Sequence, residues 1–366
     1  MNIGILLILI VTAISTSSIG VFLVLRKMSM LVDAISHTVL LGIVLAFMIV
    51  KDLSSPLLIL GATLMGIFTV ILTELLVKTK KTQEDSAAGL IYPLLFSIAV
   101  IIISTSFKNV HLDIDAVLLG KIEFAPFDEL YINGVSIGPK LLYIMLVVMI
   151  INLLFIKIFF KELKIISFDS ALAATLGFSP IIIHYLLMSL VSLTAVTSFN
   201  AVGSILVVAL MIGPPATAVL FTKDLKQTLF VAILVGVINS ILGYILALVI
   251  NVNVAGMIAT TTLITFLIVL IFNPKNGIIT TIIKKSNQKD DFDFLVLIFH
   301  LSNSDNKEIN SKTNLMNNLN WDEKKLNKLI NKGKRAMLID VNEDKIFLTQ
   351  KGYTYHQEQV LNLFNE

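Results

Sequence analysis

The sequence predicts an all-α polytopic membrane protein with about nine transmembrane helices, followed by a small α+β domain on the cytoplasmic side. The first observation is composition: the 366 residues are 56% hydrophobic and 14% charged, with a mean hydropathy of +0.89. Soluble domains carry about 25% charged residues. The second observation is uneven distribution, because long apolar runs end near residue 283. We therefore divide the chain into a membrane domain (1–283), a linker (284–292) and a soluble domain (293–366).

Nine stretches reach the length of about 20 apolar residues that a membrane-spanning helix needs. They lie at residues 3–25, 30–50, 56–77, 87–106, 140–160, 181–199, 201–221, 228–250 and 254–272. The first stretch has no basic region before it and no small-residue cleavage site, so we interpret it as a retained span. The sixth and seventh stretches are separated by Asn200 alone.

The lysines and arginines of the connections predict the orientation of these spans. One set of connections carries ten of them and the opposite set carries four. The larger set comprises Arg26, Lys27, Lys78, Lys80, Lys81, Lys157, Lys161, Lys164, Lys223 and Lys226. The larger set should be cytoplasmic, which places the N-terminus outside and the C-terminus inside. The connection 107–139 then lies outside, and its segment AVLLGKI is apolar enough to dip back into the protein.

Several kinds of chemistry are disfavoured by what the sequence lacks. It has no cysteine, so disulfides and thiolate metal sites are excluded. No stretch matches the phosphate-binding pattern GxxxxGK(S/T), so any coupling to ATP needs another subunit. No Ser-His-Asp, HExxH or GxSxG arrangement has a plausible context, which argues against an enzyme.

Asp33 and His37 lie four residues apart inside the second span and share one face of the helix. A charged group at bilayer depth costs roughly 2.5–3.5 kcal/mol on insertion scales. Carboxylate oxygen and neutral imidazole are both ligands for manganese, iron and zinc. A metal site is one interpretation, and a structural hydrogen-bonded pair is the other. Two ligands do not complete a site, so His184, Asn200, Asn239 and Glu74 are further candidates, although His184 alone also suits a packing or capping role.

Pro214 and Pro215 interrupt the seventh span. Paired prolines remove backbone donors and should break the helix. A broken helix at membrane depth is tolerated where it faces protein or a wet cavity, which suits an ion conduit. A plain kink is the alternative.

A polar segment between the fifth and sixth spans, KELKIISFDSALAATLGFSP, is too polar to cross the membrane. Asp169 can cap a short helix that runs to about Leu176, and Gly177 can end it. In the predicted orientation this helix is cytoplasmic, where it can dock on a partner protein or be a plain surface helix.

Four stretches resemble the metal ABC-transporter permeases, the membrane subunits of manganese, zinc and iron importers. They are LRKMSMLVDAISHTVLLG, SFDSALAATLG, HYLLMSLVSLTAVTSFNAVGSILVVALMIGPPATAVL and LLGKI. The resemblance covers about residues 1–275. Two positions depart from the family pattern: Leu41 stands where a proline is usual, and Lys121 replaces an external asparagine.

The resemblance implies a permease homodimer with two cytoplasmic ATPase subunits and an extracellular metal-binding lipoprotein that delivers the ion. It implies that Asp33 and His37 contact the transported metal. It also implies that the segment from Phe168 and Asp169 through Ala173 to Gly177 contacts the ATPase. No permanently bound cofactor is implied, since the divalent ion is cargo.

The C-terminal residues resemble a winged helix like that of iron-dependent repressors. The sequence predicts a helix at about 322–333, strands at 336–341 and 345–349 joined by a turn at NED, and a last helix over 350–364. Residues 286–366 carry eleven Lys and Arg against twelve Asp and Glu. DNA binding requires a basic face, so a protein-contact or regulatory role is favoured over nucleic acid.

The predicted function is uptake of manganese or iron by alternating access, as the permease subunit of an ABC importer. The predicted location is a prokaryotic cell membrane, where the spans contact membrane lipid. Zinc uptake by the same kind of permease is the alternative. A membrane-tethered DNA-binding regulator and a secondary transporter without an ATPase are alternatives from other classes.

Overall fold

The computed structural model describes residues 2–52, 55–106, 122–132, 135–275, 277–303, 310–342 and 345–364. The chain divides into two compact units, Met1–Gly277 and Ile278–Glu366. Within the described residues, nine helices are long and apolar enough to cross a membrane, which confirms the predicted number.

These nine helices belong to the first unit, and two short helices lie between the fifth and sixth of them. The long helices are α1 (Ile3–Leu25), α2 (Met30–Val50), α3 (Leu57–Lys78), α4 (Glu84–Ser106), α5 (Lys140–Ile158), α8 (Pro180–Val202), α9 (Ser204–Phe221), α10 (Leu225–Ile250) and α11 (Val254–Phe272). The short ones are α6 (Phe160–Phe168) and α7 (Ser170–Thr175).

Helix α1 lies at the centre of the membrane unit, packed against α5, α8, α9 and α10. Its middle reads TAISTSS, and small side chains of this kind let helix backbones approach closely in a membrane. The closest approach is at Gly20, where an added Cβ would lie 2.0 Å from the carbonyl oxygen of Met211 in α9. Helix α2 packs against α3 and α4 on the side of the unit that carries the Asp33–His37 pair.

The predicted helix break at Pro214 and Pro215 is wrong, because α9 runs continuously through both prolines. Pro214 has no N–H to donate to the carbonyl of Leu210, four residues earlier. The hydroxyl of Ser17 in α1 donates to that carbonyl instead, at 3.2 Å. Membrane helices tolerate proline where neighbouring hydroxyls satisfy the freed carbonyls in this way. The conduit role of these prolines stays a prediction.

The chain breaks instead at Gly203, between α8 and α9, with φ 81° and ψ 160°. A side chain is strained at such a positive φ, so glycine is the residue that permits the turn. The predicted separation at Asn200 was therefore three residues early, since Asn200 is part of α8. The side chain of Asn200 lies outside what the structure describes.

The described part of the long connection contains a 3-10 helix, Ile122–Phe127, and an antiparallel hairpin that the sequence analysis did not predict. Its strands are β1 (Glu129–Ile132) and β2 (Val135–Pro139), and their register shifts between Leu130 and Tyr131. Most of the AVLLGKI segment, with Lys121, lies outside the described residues, so its dip stays a prediction.

The second unit contains α12 (Ile278–Asn303), α13 (Lys312–Leu319), α14 (Glu323–Arg335), β3 (Ile339–Asn342), β4 (Lys345–Leu348) and α15 (Gln350–Phe364). The predicted helix, two strands and last helix are all present, and β3 pairs with β4 in antiparallel fashion. Part of the NED turn lies outside the described residues. The match of the second unit to a winged helix remains a prediction.

The predicted linker at 284–292 is corrected, because it is part of the helix α12. No glycine or proline interrupts residues 278–303, so nothing in the sequence ends the helix there. The helix continues until it buries Phe294, Leu297 and Ile298 in the core of the second unit.

Candidate functional site

Asp33 and His37 face each other along α2. The Nε2 atom of His37 lies 3.7 Å from the Oδ1 atom of Asp33, which is too long for a hydrogen bond. Metal–nitrogen and metal–oxygen bonds in proteins measure about 2.1 Å for zinc, so an ion that contacts both atoms fits this separation. The side chains of Asp33 and His37 are 38% and 33% exposed, so the pair is open on one side.

The position of Asp33 lowers the cost of its charge. It lies in the first turn of α2, where the helix dipole stabilises a carboxylate. The backbone carbonyl of Asp33 also accepts a hydrogen bond from the Ser36 hydroxyl at 2.6 Å. The helix dipole thus accounts for part of the acid's stability, and the case for a ligand rests on the geometry with His37.

Two aromatic rings of α4 enclose His37, and the sequence analysis missed both. The ring of Tyr92 stacks on the imidazole, with centroids 5.2 Å apart and planes at 26°. The ring of Phe96 meets the imidazole edge-on, at 6.0 Å and 81°. Tyr92 and Phe96 are themselves four residues apart on one helix face. That spacing was readable in the sequence, but nothing in it pointed to α2 as the neighbour.

His184 lies elsewhere, in a polar network that joins the end of α1 to α3 and α8. Nη2 of Arg26 donates to Nδ1 of His184 at 2.8 Å, so the proton of the neutral ring is on Nε2. Nε2 faces the carboxylate of Glu74 in close contact. The hydroxyl of Tyr185 donates to the second oxygen of Glu74 at 2.8 Å. Both ring nitrogens of His184 are therefore occupied.

Arg26 is partly buried at this network. Burial lowers the pKa of its guanidinium, and the carboxylates of Glu84 and Glu74 act in the opposite direction. An arginine stays charged in proteins, so a partly buried cation lies beside His184. A metal ion at His184 would have to displace Arg26 and overcome its repulsion.

The structure thus separates the predicted ligands. Among the described residues, no group of three or more His, Cys, Asp or Glu side chains is close enough to hold one ion. The structure does not place His184 in one group with Asp33 and His37. The role of His184 as a metal ligand stays a prediction.

The short helix predicted at Asp169 is confirmed as α7, and its cytoplasmic location stays a prediction. The Asp169 carboxylate accepts hydrogen bonds from the backbone N–H groups of Ala171 and Leu172, at 2.9 and 3.0 Å. Gly177 follows the helix with φ 87°. Ala173 is buried, and three apolar side chains near it are exposed: Phe168, Leu172 and Leu176. This exposed apolar face is suited to a protein partner.

The nine apolar helices among the described residues define a class of protein, the multi-pass membrane proteins. An acid–histidine pair lies inside one of these helices, as an ion site within a membrane would require. Residues 3–273 match the family model ABC-3, described as the ABC 3 transport family. The chain belongs to this family.

Two relatives illustrate the range of the family. The chain is 41% identical to the manganese transport system membrane protein MntD of Bacillus subtilis, over 77% of this chain and 95% of the relative. It is 38% identical to the zinc transport system membrane protein TroD of Treponema pallidum, over 98% of this chain and 99% of the relative. The second match therefore extends through the C-terminal unit.

Among solved structures, the chain is similar to PsaBC from Streptococcus pneumoniae in complex with Fab. The TM-score is 0.62 and the sequence identity 32%, over 75% of this chain and 92% of that chain.

Proposed function

We propose that this chain is the permease subunit of an ABC importer for a divalent transition metal, with manganese favoured, iron next and zinc as the alternative. The observation that carries the proposal is the open Asp33–His37 pair, whose Nε2 and Oδ1 atoms are 3.7 Å apart within a membrane span. Carboxylate and imidazole ligands suit all three metals. The choice among the metals therefore depends more on supply and geometry than on ligand type. Relatives named for manganese, zinc and iron transport support the same class of cargo.

A second copy of the chain would complete the ion site. Asp33 and His37 supply two ligands, and their side chains are about one-third exposed in the single chain. In a homodimer the same pair from each copy would face the other, since a two-fold interface is built from identical patches. Four ligands would then surround the ion.

The energy for transport would come from a separate ATPase subunit on the cytoplasmic side. The exposed apolar residues Phe168, Leu172 and Leu176 around α7 are the docking face that we assign to it. An extracellular lipoprotein would deliver the ion on the opposite side. ATP-driven movement at α7 would then switch the pathway from outward to inward access.

For the C-terminal unit we propose a protein-contact or regulatory role. Three of the five lysines of α14 are paired within the unit: Lys325 lies 2.7 Å from Asp293, Lys328 lies 2.5 Å from Asp290, and Lys332 contacts Asp291. The bond from Lys328 lowers the pKa of Asp290, so that carboxylate stays charged. These pairs neutralise part of the basic face that DNA binding would use.

Metal uptake into vesicles tests the function. The vesicles contain this chain with its ATPase and its binding lipoprotein, and manganese, iron and zinc are compared with and without ATP. We expect ATP-dependent uptake of manganese above the other two. Uptake of zinc alone would select the alternative cargo, and uptake without any ATPase would indicate a secondary transporter.

A further inference from the structure

We propose that Tyr92 and Phe96, named here the aromatic clamp, are positioning residues for the metal ligand His37. The proposal deepens the proposed function, on which it rests. It concerns the orientation of the imidazole before the ion arrives.

The clamp acts on two sides of one ring. Tyr92 stacks on the face of the imidazole at 5.2 Å, and Phe96 meets it edge-on at 6.0 Å. Stacked and edge-on arrangements are the two preferred geometries of aromatic pairs. The two contacts together restrict rotation of the His37 side chain about both of its torsion angles.

The restricted rotation orients one ring nitrogen of His37 toward Asp33. With the ring held in this way, Nε2 points toward Oδ1 of Asp33 across a gap of 3.7 Å. Groups behind a metal ligand commonly set its orientation, and their loss weakens metal affinity. A histidine that needs no reorientation loses less conformational entropy when the ion binds.

Helix α4, which carries the aromatic clamp, packs firmly against α2. Leu95 and Ala99 of α4 pack with Leu40, Leu41 and Val44 of α2 in one buried cluster. This packing fixes the two helices against each other on the flank of the site. Tyr92 itself is only partly buried.

The size of the effect follows from the strength of such contacts. An aromatic pair shifts an equilibrium about two- to tenfold beyond its buried area. Tyr92→Leu should therefore raise the KM for manganese about two- to tenfold and leave the maximal rate nearly unchanged. Tyr92→Phe keeps the stacked ring and should restore the wild-type KM.

The experiment measures uptake by the complete complex in vesicles for Tyr92→Leu, Tyr92→Phe and Phe96→Leu. Leu94→Ala serves as the matched control, because Leu94 lies on the same helix and is exposed. A raised KM in Tyr92→Leu and Phe96→Leu, with wild-type values in the other two, supports the clamp. A lower maximal rate with unchanged KM, or no rescue by Tyr92→Phe, overturns it.

A second readout does not depend on transport. Diethylpyrocarbonate modifies accessible imidazoles, and mass spectrometry measures the rate at His37 separately from the other histidines. Tyr92→Leu should raise that rate severalfold and Tyr92→Phe should not. Equal rates in all variants overturn the clamp, whereas absent metal uptake with a raised rate in Tyr92→Leu contradicts only the proposed function.

Discussion

Two histidines of the membrane unit have opposite surroundings. His37 lies 3.7 Å from a carboxylate, with no hydrogen bond between the two, and is open on one side. His184 is buried, with one nitrogen bonded to Arg26 and the other facing Glu74. The first arrangement leaves room for an ion between the groups, and the second fills that room with a guanidinium and a proton.

His184→Ala should reduce stability more than His37→Ala does. It leaves the partly buried Arg26 and Glu74 without their shared partner, and an unpaired buried polar group costs about 1–3 kcal/mol. Thermal unfolding of the purified full chain measures the difference. His37→Ala is the matched control, with near wild-type stability expected. Equal stability of His184→Ala and wild type would show that the network does not hold the helices together.

At this scale the sequence could predict pairs within one helix and could not predict pairs between helices. The spacing of Asp33 and His37 placed them on one face. Arg26 and His184 are 158 positions apart, and no local pattern joins them. The same limit explains why Tyr92 was not connected with His37.

Among the helices, α9 depends on α1 for its continuity. Pro214 leaves the carbonyl of Leu210 without a partner in its own helix, and Ser17 of α1 donates to it at 3.2 Å. The sequence of α9 shows the prolines, but it does not show the Ser17 hydroxyl that lies opposite them in another helix. The predicted break was wrong for this reason.

Ser17→Ala should therefore destabilise the chain by about 1 kcal/mol, the net value of one buried hydrogen bond. Ser18→Ala is the control, because the Ser18 hydroxyl bonds only within its own helix, to the Ser15 carbonyl at 2.9 Å. Chemical unfolding of the two variants measures the difference. If Ser18→Ala lowers the free energy of unfolding as much as Ser17→Ala does, the hydrogen bond between α1 and α9 has no special role in stability.

Helix α7 depends on its cap. Asp169→Ala removes the acceptor of two backbone bonds and should destabilise the helix by about 0.5–2 kcal/mol. We expect weaker copurification with the ATPase and lower metal uptake. Asp169→Asn retains an equally good cap and should behave as wild type. If both variants bind the ATPase normally, α7 is not the docking element.

Hydropathy predicted the number of spans, because each one is a long apolar run whatever its neighbours are. It could not predict the turn at Gly203, which depends on a positive φ inside an apolar run. The hairpin of β1 and β2 was also missed, since its strands have only four and five residues.

For the whole molecule, the basic connections predict which side of the membrane each loop occupies. The chain has no cysteine, so a single introduced cysteine reports its own side without background. Phe127 and Leu176 are both exposed and lie on opposite predicted sides. An impermeant maleimide should label Phe127→Cys in intact cells, and should label Leu176→Cys only after the membrane is opened. The reverse result would invert the orientation.

The central claim is that the ion binds at Asp33 and His37, and metal uptake by Asp33→Asn in the vesicles described above tests it most directly. This substitution keeps the size of the side chain and removes its charge. Asp128→Asn, at an exposed position in the connection predicted to be external, is the matched control. We expect uptake to fall about tenfold or more in Asp33→Asn, because loss of groups that act on a bound metal typically costs that much, and to stay near wild type in Asp128→Asn. Wild-type uptake by Asp33→Asn, with the complex intact, would make Asp33 and His37 a structural pair and would contradict the account.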